Sequence, residues 1–253
     1  MIDKFIVAKH FAHAASSYEN KAEAQRNIVD SMIELMHRYM FPQCARIYEV
    51  GCGVGVFTRK LVSDFNPETI VANDICWEMS PFVETHLSEN NVSFVTGDAE
   101  SLDIPERTNA IVSCSAIQWF ANIPSFIRRS YNALPQKGIF AVSTFGKNNF
   151  EEIRTITGQG LNYHSLEEYK KFLTGTGFKI LHAGDDKITL RFSSAIEVLR
   201  HLRYTGVRGI DSVRMTPAQT LKFCRDYETG YNDANGFVSL TYHPVYLIAE
   251  KTD

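Results

Sequence analysis

The stretch YEVGCGVGVFT, residues 48–58, sets three glycines at alternate positions, Gly51, Gly53 and Gly55, behind a short apolar run that carries one acid, Glu49. Glycines at this spacing let a chain turn tightly and bring backbone N–H groups close to a ligand. The residues before them, RIYEVG (46–51), read as a buried strand, and residues 56–65 after them read as a helix. A strand, a glycine turn and a helix in succession open an α/β sheet that binds its ligands beyond the carboxyl ends of its strands.

The pattern continues on both sides. TIVANDI (69–75), VSFVTGD (92–98), AIVSCSA (110–116) and GIFAVSTF (138–145) are further short apolar runs. Helical patterns at 77–88 and near 123–134 separate some of them, which predicts a parallel sheet with helices on both faces. SLEEYKKFLTGTGF reads as a capped helix ending at Gly175 or Gly177, and two β-prone segments follow, 178–192 and 240–250. Between these lies a mainly helical insertion of about 45 residues, 194–238. Upstream, residues 18–40 read as one amphipathic helix with Ser16 or Ser17 as N-cap and Ile28, Met32, Leu35, Met36 and Tyr39 on one stripe. The chain of 253 residues suits a single domain over 1–253, with an N-terminal helical lid at 1–40 and a second lid in the insertion.

Composition excludes several classes. The 44% hydrophobic and 22% charged fractions are those of an ordinary globular protein, and a net charge of −3 supplies no global attraction to nucleic acid or to an anionic membrane. No apolar run approaches the roughly 18 residues of a spanning helix, and the first residues lack the apolar centre of a secretion signal. Cys44, Cys52, Cys76, Cys114 and Cys224 are scattered and form no C-x-x-C pair, so neither structural zinc nor a disulfide framework is expected, no metal is assigned, and a cytoplasmic location fits.

Glycine spacing distinguishes two cofactors. The dinucleotide fingerprint G-x-G-x-x-G would put its third glycine at position 56, where Val56 stands. Here the motif is acid-x-G-x-G-x-G. An acid at the tip of the first strand faces a pyrophosphate unfavourably but suits a ligand with an ammonium group and a sulfonium, as S-adenosylmethionine has. Asp74 ends the second strand about 20 residues on, where a carboxylate can accept ribose hydroxyls. Asp98 ends the third, where it can meet an adenine amino group or simply form an Asx turn.

With these residues in place the chain resembles the class I S-adenosylmethionine-dependent methyltransferases, over about 40–190 and again at 240–250. The resemblance implies a Rossmann-like seven-stranded sheet, mostly parallel with an antiparallel last strand. It assigns Glu49, Gly51, Gly53 and Gly55 to the methionyl side of S-adenosyl-L-methionine, Asp74 to the ribose, and Asp98 with Ala99 to the adenine; Ile75 and Ser115 complete the cofactor set.

Four peripheral stretches, AASSYENKAEAQ (14–25), SAIQWF (115–120), HLRYTGVRGI (201–210) and LTYHPVYLIAEK (240–251), are similar to the malonyl-[acyl-carrier protein] O-methyltransferases of biotin synthesis. That resemblance covers nearly the whole chain. It implies esterification of the free carboxylate of a malonyl thioester, on acyl carrier protein or on coenzyme A, so that the masked group can pass through fatty-acid elongation. Arg208 departs from the family pattern, which has a small polar residue there.

Tyr18, Ala22 and Gln25 fall at i, i+4 and i+7 and would share one helix face toward a ligand or toward solvent. Gln118 and Trp119 follow the fourth strand at the crevice mouth, with Trp119 either a core plug or a substrate wall. Tyr242 and His243 would alternate to opposite faces of the last strand. From 191 to 225, Arg191, Arg200, Arg203, Arg208, Arg214, Lys222 and Arg225 stand against only Glu197 and Asp211, a local excess of five positive charges suited to an acidic carrier protein. A carboxylate nucleophile is ionised at neutral pH and needs orientation rather than a base. Arg203 is the expected clamp, with Tyr18 and His243 orienting, Arg200 competing with Arg203, and Gln25, Gln118 and Trp119 contacting substrate. The rival readings are a class I methyltransferase of another small molecule, such as a quinone or sterol precursor, and a non-catalytic or nucleic-acid-directed member whose basic insertion binds phosphate. Against the latter, SAIQWF occupies the place where base-modifying enzymes carry an Asn/Asp-Pro-Pro-Tyr motif.

Overall fold

The structure is a computed structural model and describes residues 3–39, 45–87, 91–206 and 215–252. RIYEV forms β1 (Arg46–Val50), buried from Ile47 onward as a central parallel strand must be. The other strands are β2 (Thr69–Asp74), β3 (Val92–Thr96), β4 (Ala110–Cys114), β5 (Ile139–Phe145), β6 (Phe178–Asp185), β7 (Ile188–Phe192), β8 (Val238–Tyr242) and β9 (Pro244–Lys251). Seven of them form one sheet in the order β3-β2-β1-β4-β5-β9-β6, parallel except for β9, which runs antiparallel to both neighbours. The chain leaves β1 toward β2 on one side and returns to β4 on the other. That reversal opens a crevice at the carboxyl ends of β1, β2 and β4, where ligands of such sheets sit.

Helices cover both faces: α3 (Val56–Phe65), α4 (Ser80–Leu87), α5 (Ile123–Ala133), α6 (Glu151–Thr157) and α7 (Leu166–Thr176). The last is the capped helix expected, with Ser165 and Glu168 forming a reciprocal capping box and Gly177 ending it in the left-handed conformation. The insertion carries α8 (Ala195–Tyr204) and α9 (Pro217–Tyr231). Among the described residues, no helix is long and apolar enough to cross a membrane.

Three expectations need correction. The single N-terminal helix is two, α1 (Lys4–Lys21) and α2 (Glu23–Tyr39), broken at Ala22. Ser16 and Ser17 lie inside α1, whose first turn is capped instead by Asp3, Oδ1 accepting from the amides of Phe5 and Ile6 at 3.0 and 3.2 Å. The stripe itself holds, since Ile28, Met32 and Met36 are fully buried on the sheet, each contributing about 1.5–3 kcal/mol. The break separates Tyr18 from Gln25, so they do not share a helix face. α1 buries little beyond small residues such as Ala14 and Ala15, and it leaves the sheet to lie over the crevice.

The segments 178–192 and 240–250 are not two strands but four. β6 and β9 belong to the large sheet, while β7 and β8 pair only with each other. Pro244 has no N–H to extend the ladder, so the chain steps between sheets at His243. His243 is therefore at a junction, not on the last strand. Finally, α6 is an element the periodicity did not predict. Its signals are the acids Glu151 and Glu152 at its start and Gly158 at its end.

Candidate active site

Gly51, Gly53 and Gly55 all have positive φ (71°, 54° and 79°), which wraps the loop after β1 around the end of the crevice. A cavity of about 1190 Å³ opens there, lined among others by Gly51, Gly53, Asp74, Ile75, Asp98 and Ala99. Ser115, Trp119 and Gln25 also line it. Six of the nine expected cofactor residues, and Ser115 as a seventh, thus meet in one space.

Glu49 and Gly55 stand just behind this lining. Strand alternation puts Glu49 on the face of Ile47, toward α2 and α3, whose Val29 and Phe57 form part of the crevice wall. Glu49 is 1% exposed and its Oε2 has no hydrogen-bond partner. Burial, reinforced by the nearby charge of Asp74, pushes its carboxyl up to about 8. The buried thiols of Cys52 and Cys114, both on the wall, are pushed upward by burial and, secondarily, by Glu49. A buried acid with an unused oxygen calls for a cation.

Asp74 accepts from the amides of Gly53 and Cys76, both at 2.9 Å, one on each oxygen. A carboxylate has about four lone-pair sites, so two remain for hydroxyls. Asp98 forms the Asx turn considered above, Oδ1 accepting from Glu100 N at 3.0 Å. It also takes the ammonium of Lys4, whose Nζ lies 2.8 and 2.7 Å from its two oxygens and also pairs with Glu100. α1 is thereby latched across the mouth by Lys4, with Val7, Phe11 and Ala15 forming its underside. Sequence reasoning missed Lys4, Phe11 and Arg26. Arg26 lines the crevice one turn beyond Ala22, and the i, i+4 spacing from that residue was the available signal.

A second, smaller cavity of about 360 Å³ adjoins the first. Phe11, Gln25, Ser115 and Trp119 line both, forming the shared wall. Ser115 holds φ = 58°, a conformation that non-glycine residues adopt only when surroundings impose it. Trp119 is 8% exposed, sits edge-on to Phe11 at 5.9 Å, and its Nε1 has no partner. It is both core plug and wall. Gln118 lines only the smaller space, its Nε2 donating to Ser115 O at 2.6 Å.

The expected clamp is not at this site. α8 turns Val198, His201, Leu202 and Thr205 inward, a spacing that leaves Arg200 and Arg203 on the outer face, both exposed and neither lining either cavity. His243 lines neither cavity: its Nδ1 accepts from Asn148 N at 3.1 Å and its Nε2 faces Asp185 at 2.8 Å. Tyr18 falls within α1, but its side chain lies outside the described residues, as do Arg208 and Arg214. The basic excess of the insertion is also smaller than its window suggested. Arg191 pairs with Asp233, Arg200 with Glu197, and Lys222 and Arg225 with Asp226, two of these acids lying just past residue 225. Among the described basic residues of the insertion, only Arg203 has no ion-pair partner.

The chain's relatives bear on the chemistry. The family described as "Methyltransferase domain" matches residues 48–142. A protein of Bacteroides thetaiotaomicron named malonyl-[acyl-carrier protein] O-methyltransferase is 39% identical over 99% of this chain and 99% of its own. One of Bacteroides fragilis with the same name is 41% identical over 98% of this chain, which spans 50% of that longer protein. Among solved structures, the magnesium protoporphyrin IX methyltransferase of Synechocystis with bound SAH superposes with a TM-score of 0.57 at 15% identity, covering 90% of this chain and 83% of its own, a likeness of fold.

Proposed function

The chain belongs to the malonyl-[acyl-carrier protein] O-methyltransferase family, and we propose that it methylates the free carboxylate of a malonyl thioester on acyl carrier protein, using S-adenosylmethionine. The observation that carries this reading is the match along 99% of both chains to the Bacteroides thetaiotaomicron relative, which takes in the lid segments as well as the sheet.

The crevice fits the cofactor through its own chemistry. Glu49, buried with an orphaned oxygen, suits the ammonium; Arg26 suits the methionyl carboxylate. Asp74 has lone pairs left for ribose hydroxyls, and Asp98 beside Ala99 suits the adenine amino group. When bound, the cofactor supplies an electrophilic methyl that passes to a carboxylate oxygen as the carbon–sulfur bond breaks onto sulfur, with no proton moved. The protein's part is alignment and exclusion of water: α1 roofs the crevice, and Phe11 packs edge-on to Trp119 where the two cavities adjoin. Four described cysteines are free thiols, which suits a cytoplasmic enzyme.

Incubation with labelled cofactor and either malonyl-carrier protein or malonyl coenzyme A tests the assignment. Transfer to the carrier-borne substrate is expected; transfer to neither would remove the substrate while leaving the fold untouched.

Two predictions follow from the lids. Lys4→Ala frees α1 from Asp98 and Glu100, so capture and release of S-adenosylhomocysteine should each accelerate by about fivefold. Stopped-flow fluorescence reads both rates, and unchanged rates would mean α1 is no gate. Arg203→Glu removes the unpaired cation of α8, so KM for malonyl-carrier protein should rise about two- to fivefold and the effect should fade with salt. Turnover of malonyl coenzyme A should stay at the wild-type level; a loss there as well would return Arg203 to the reaction centre.

A further inference from the structure

The smaller cavity has an unusual lining. Besides apolar groups and Tyr242, whose hydroxyl pairs with His201 Nε2 at 2.7 Å, it presents Gln25, Ser115, Gln118, Asn149, Tyr163 and Thr205, and among the described residues no Asp, Glu, Lys, Arg or His side chain lines it. Several of its lining side chains carry buried donors with no acceptor, Ser115 Oγ among them. The first of the two used here is Trp119 Nε1, which can only donate.

The second is the hydroxyl of Tyr163, and its direction is fixed by a chain of hydrogen bonds. The backbone amide of His243 is a donor, so the side-chain oxygen of Asn149, 3.1 Å away, must accept from it. Asn149 therefore turns its Nδ2 toward Tyr163, donating to the phenol oxygen at 2.9 Å. With that oxygen accepting, the phenol proton is left for another acceptor. Tyr163 is only 6% exposed, and burial holds its proton firmly by raising the phenol above its ordinary range. An uncommitted buried donor costs stability unless something fills it.

The geometry points to this chamber as the seat of the substrate carboxylate, held by uncharged donors, Tyr163 Oη–H and Trp119 Nε1–H, rather than by a guanidinium. This assignment rests on the carboxyl-methyltransferase reading above and deepens it. The chamber adjoins the cofactor crevice at Ser115 and Trp119, so a carboxylate held there would lie beside the space that would hold the methyl donor. Neutral donors orient an anion while leaving more of its charge on the attacking oxygen than a guanidinium fork would. Burying an anion among neutral groups is costly, and a sulfonium held in the adjoining crevice would be its natural counter-charge. His243 contributes through its backbone amide and its contact with Asp185: it positions Asn149, which in turn aims Tyr163.

The test compares malonyl- with acetyl-carrier protein, ligands that differ by the carboxylate alone. Affinities are measured calorimetrically on the complex with sinefungin, a cofactor analogue whose ammonium keeps a positive charge in place of the sulfonium methyl, beside kcat/KM for the malonyl substrate. Wild type should prefer the malonyl ligand. Tyr163→Phe, which keeps the ring and deletes the hydroxyl, should erase about tenfold of that preference and of kcat/KM, while acetyl-carrier binding and cofactor affinity stay unchanged. Trp119→Phe, which keeps an aromatic against Phe11, should act in the same sense and serves alone if Tyr163→Phe does not fold. Preference retained in either folded variant overturns the inference. No malonyl preference in the wild type would overturn the functional reading beneath it instead.

Discussion

Gly51→Ala is expected to abolish measurable cofactor binding and to lower the thermal midpoint. The residue has φ = 71°, and a Cβ built there would lie 2.2 Å from Cβ of Ala116. No side chain can rotate to relieve this, because both groups would be methyls attached directly to backbone. The loops after β1 and β4 would have to part. Left-handed strain alone costs about 1–3 kcal/mol. The separation would also disturb the hydrogen bonds from the amides of Gly51 and Cys52 to Asn73 O, at 2.8 and 2.9 Å, and would move Ser115, which shapes the wall between the cavities. Together these should weaken S-adenosylhomocysteine by more than about 100-fold, or roughly 3 kcal/mol, in calorimetry. Gly53→Ala is the control: φ is 54°, but nothing lies within 4 Å of the added carbon. In the thermal midpoint it should cost only the backbone strain, about 1 kcal/mol. An equal fall of the thermal midpoint in both variants, or wild-type affinity in Gly51→Ala, would show that the close approach of the two loops is irrelevant to the site.

The contrast between these two glycines marks what sequence can and cannot convey. That three glycines follow a strand was legible, and so were the sheet, the carboxylates at the ends of β1 to β3, and the cofactor class, because a strand–turn–helix repeat leaves its period in the chain. Which glycine has a neighbour overhead is a fact of two loops meeting. The break at Ala22 was hidden because a helical period reads smoothly through a one-residue hinge. Arg203 is a different case. The apolar spacing of Ala195, Val198 and Leu202 was visible, and applied strictly it turns both candidate arginines outward. Tyr163 and Asn149 lie in connecting segments without period, and their pairing exists only because α6 folds the chain back between them. Lys4 meets Asp98 across 94 residues, a contact that no local signal announces.

Glu49 gives the largest dependence on pH. Burial holds its carboxyl up at about 8, so at neutral pH it keeps a proton that an unfolded chain, at the ordinary value of 4.5, has already released. The folded state then binds more protons than the unfolded one. The contribution of Glu49 to stability should accordingly be greatest below about pH 4.5, fall by at most about 1.4 kcal/mol per pH unit between that value and 8, and level off above 8. A cationic cofactor reverses the preference, because the ammonium favours the ionised form. Binding below pH 8 must therefore expel a proton, and affinity should climb by up to about tenfold per unit from about pH 6 and flatten near 8. Calorimetry in two buffers of different ionisation enthalpy counts that proton directly. Glu49→Gln should bind without proton release, with affinity flat over the same interval and lower than wild type at pH 8 by about 10- to 100-fold. The free variant should nevertheless melt higher than wild type at that pH, since it no longer buries an ionising group. Weaker binding joined to higher stability is an outcome that simple damage to the fold does not produce. Wild-type binding that releases no proton at pH 7 would place Glu49 outside the cofactor's reach.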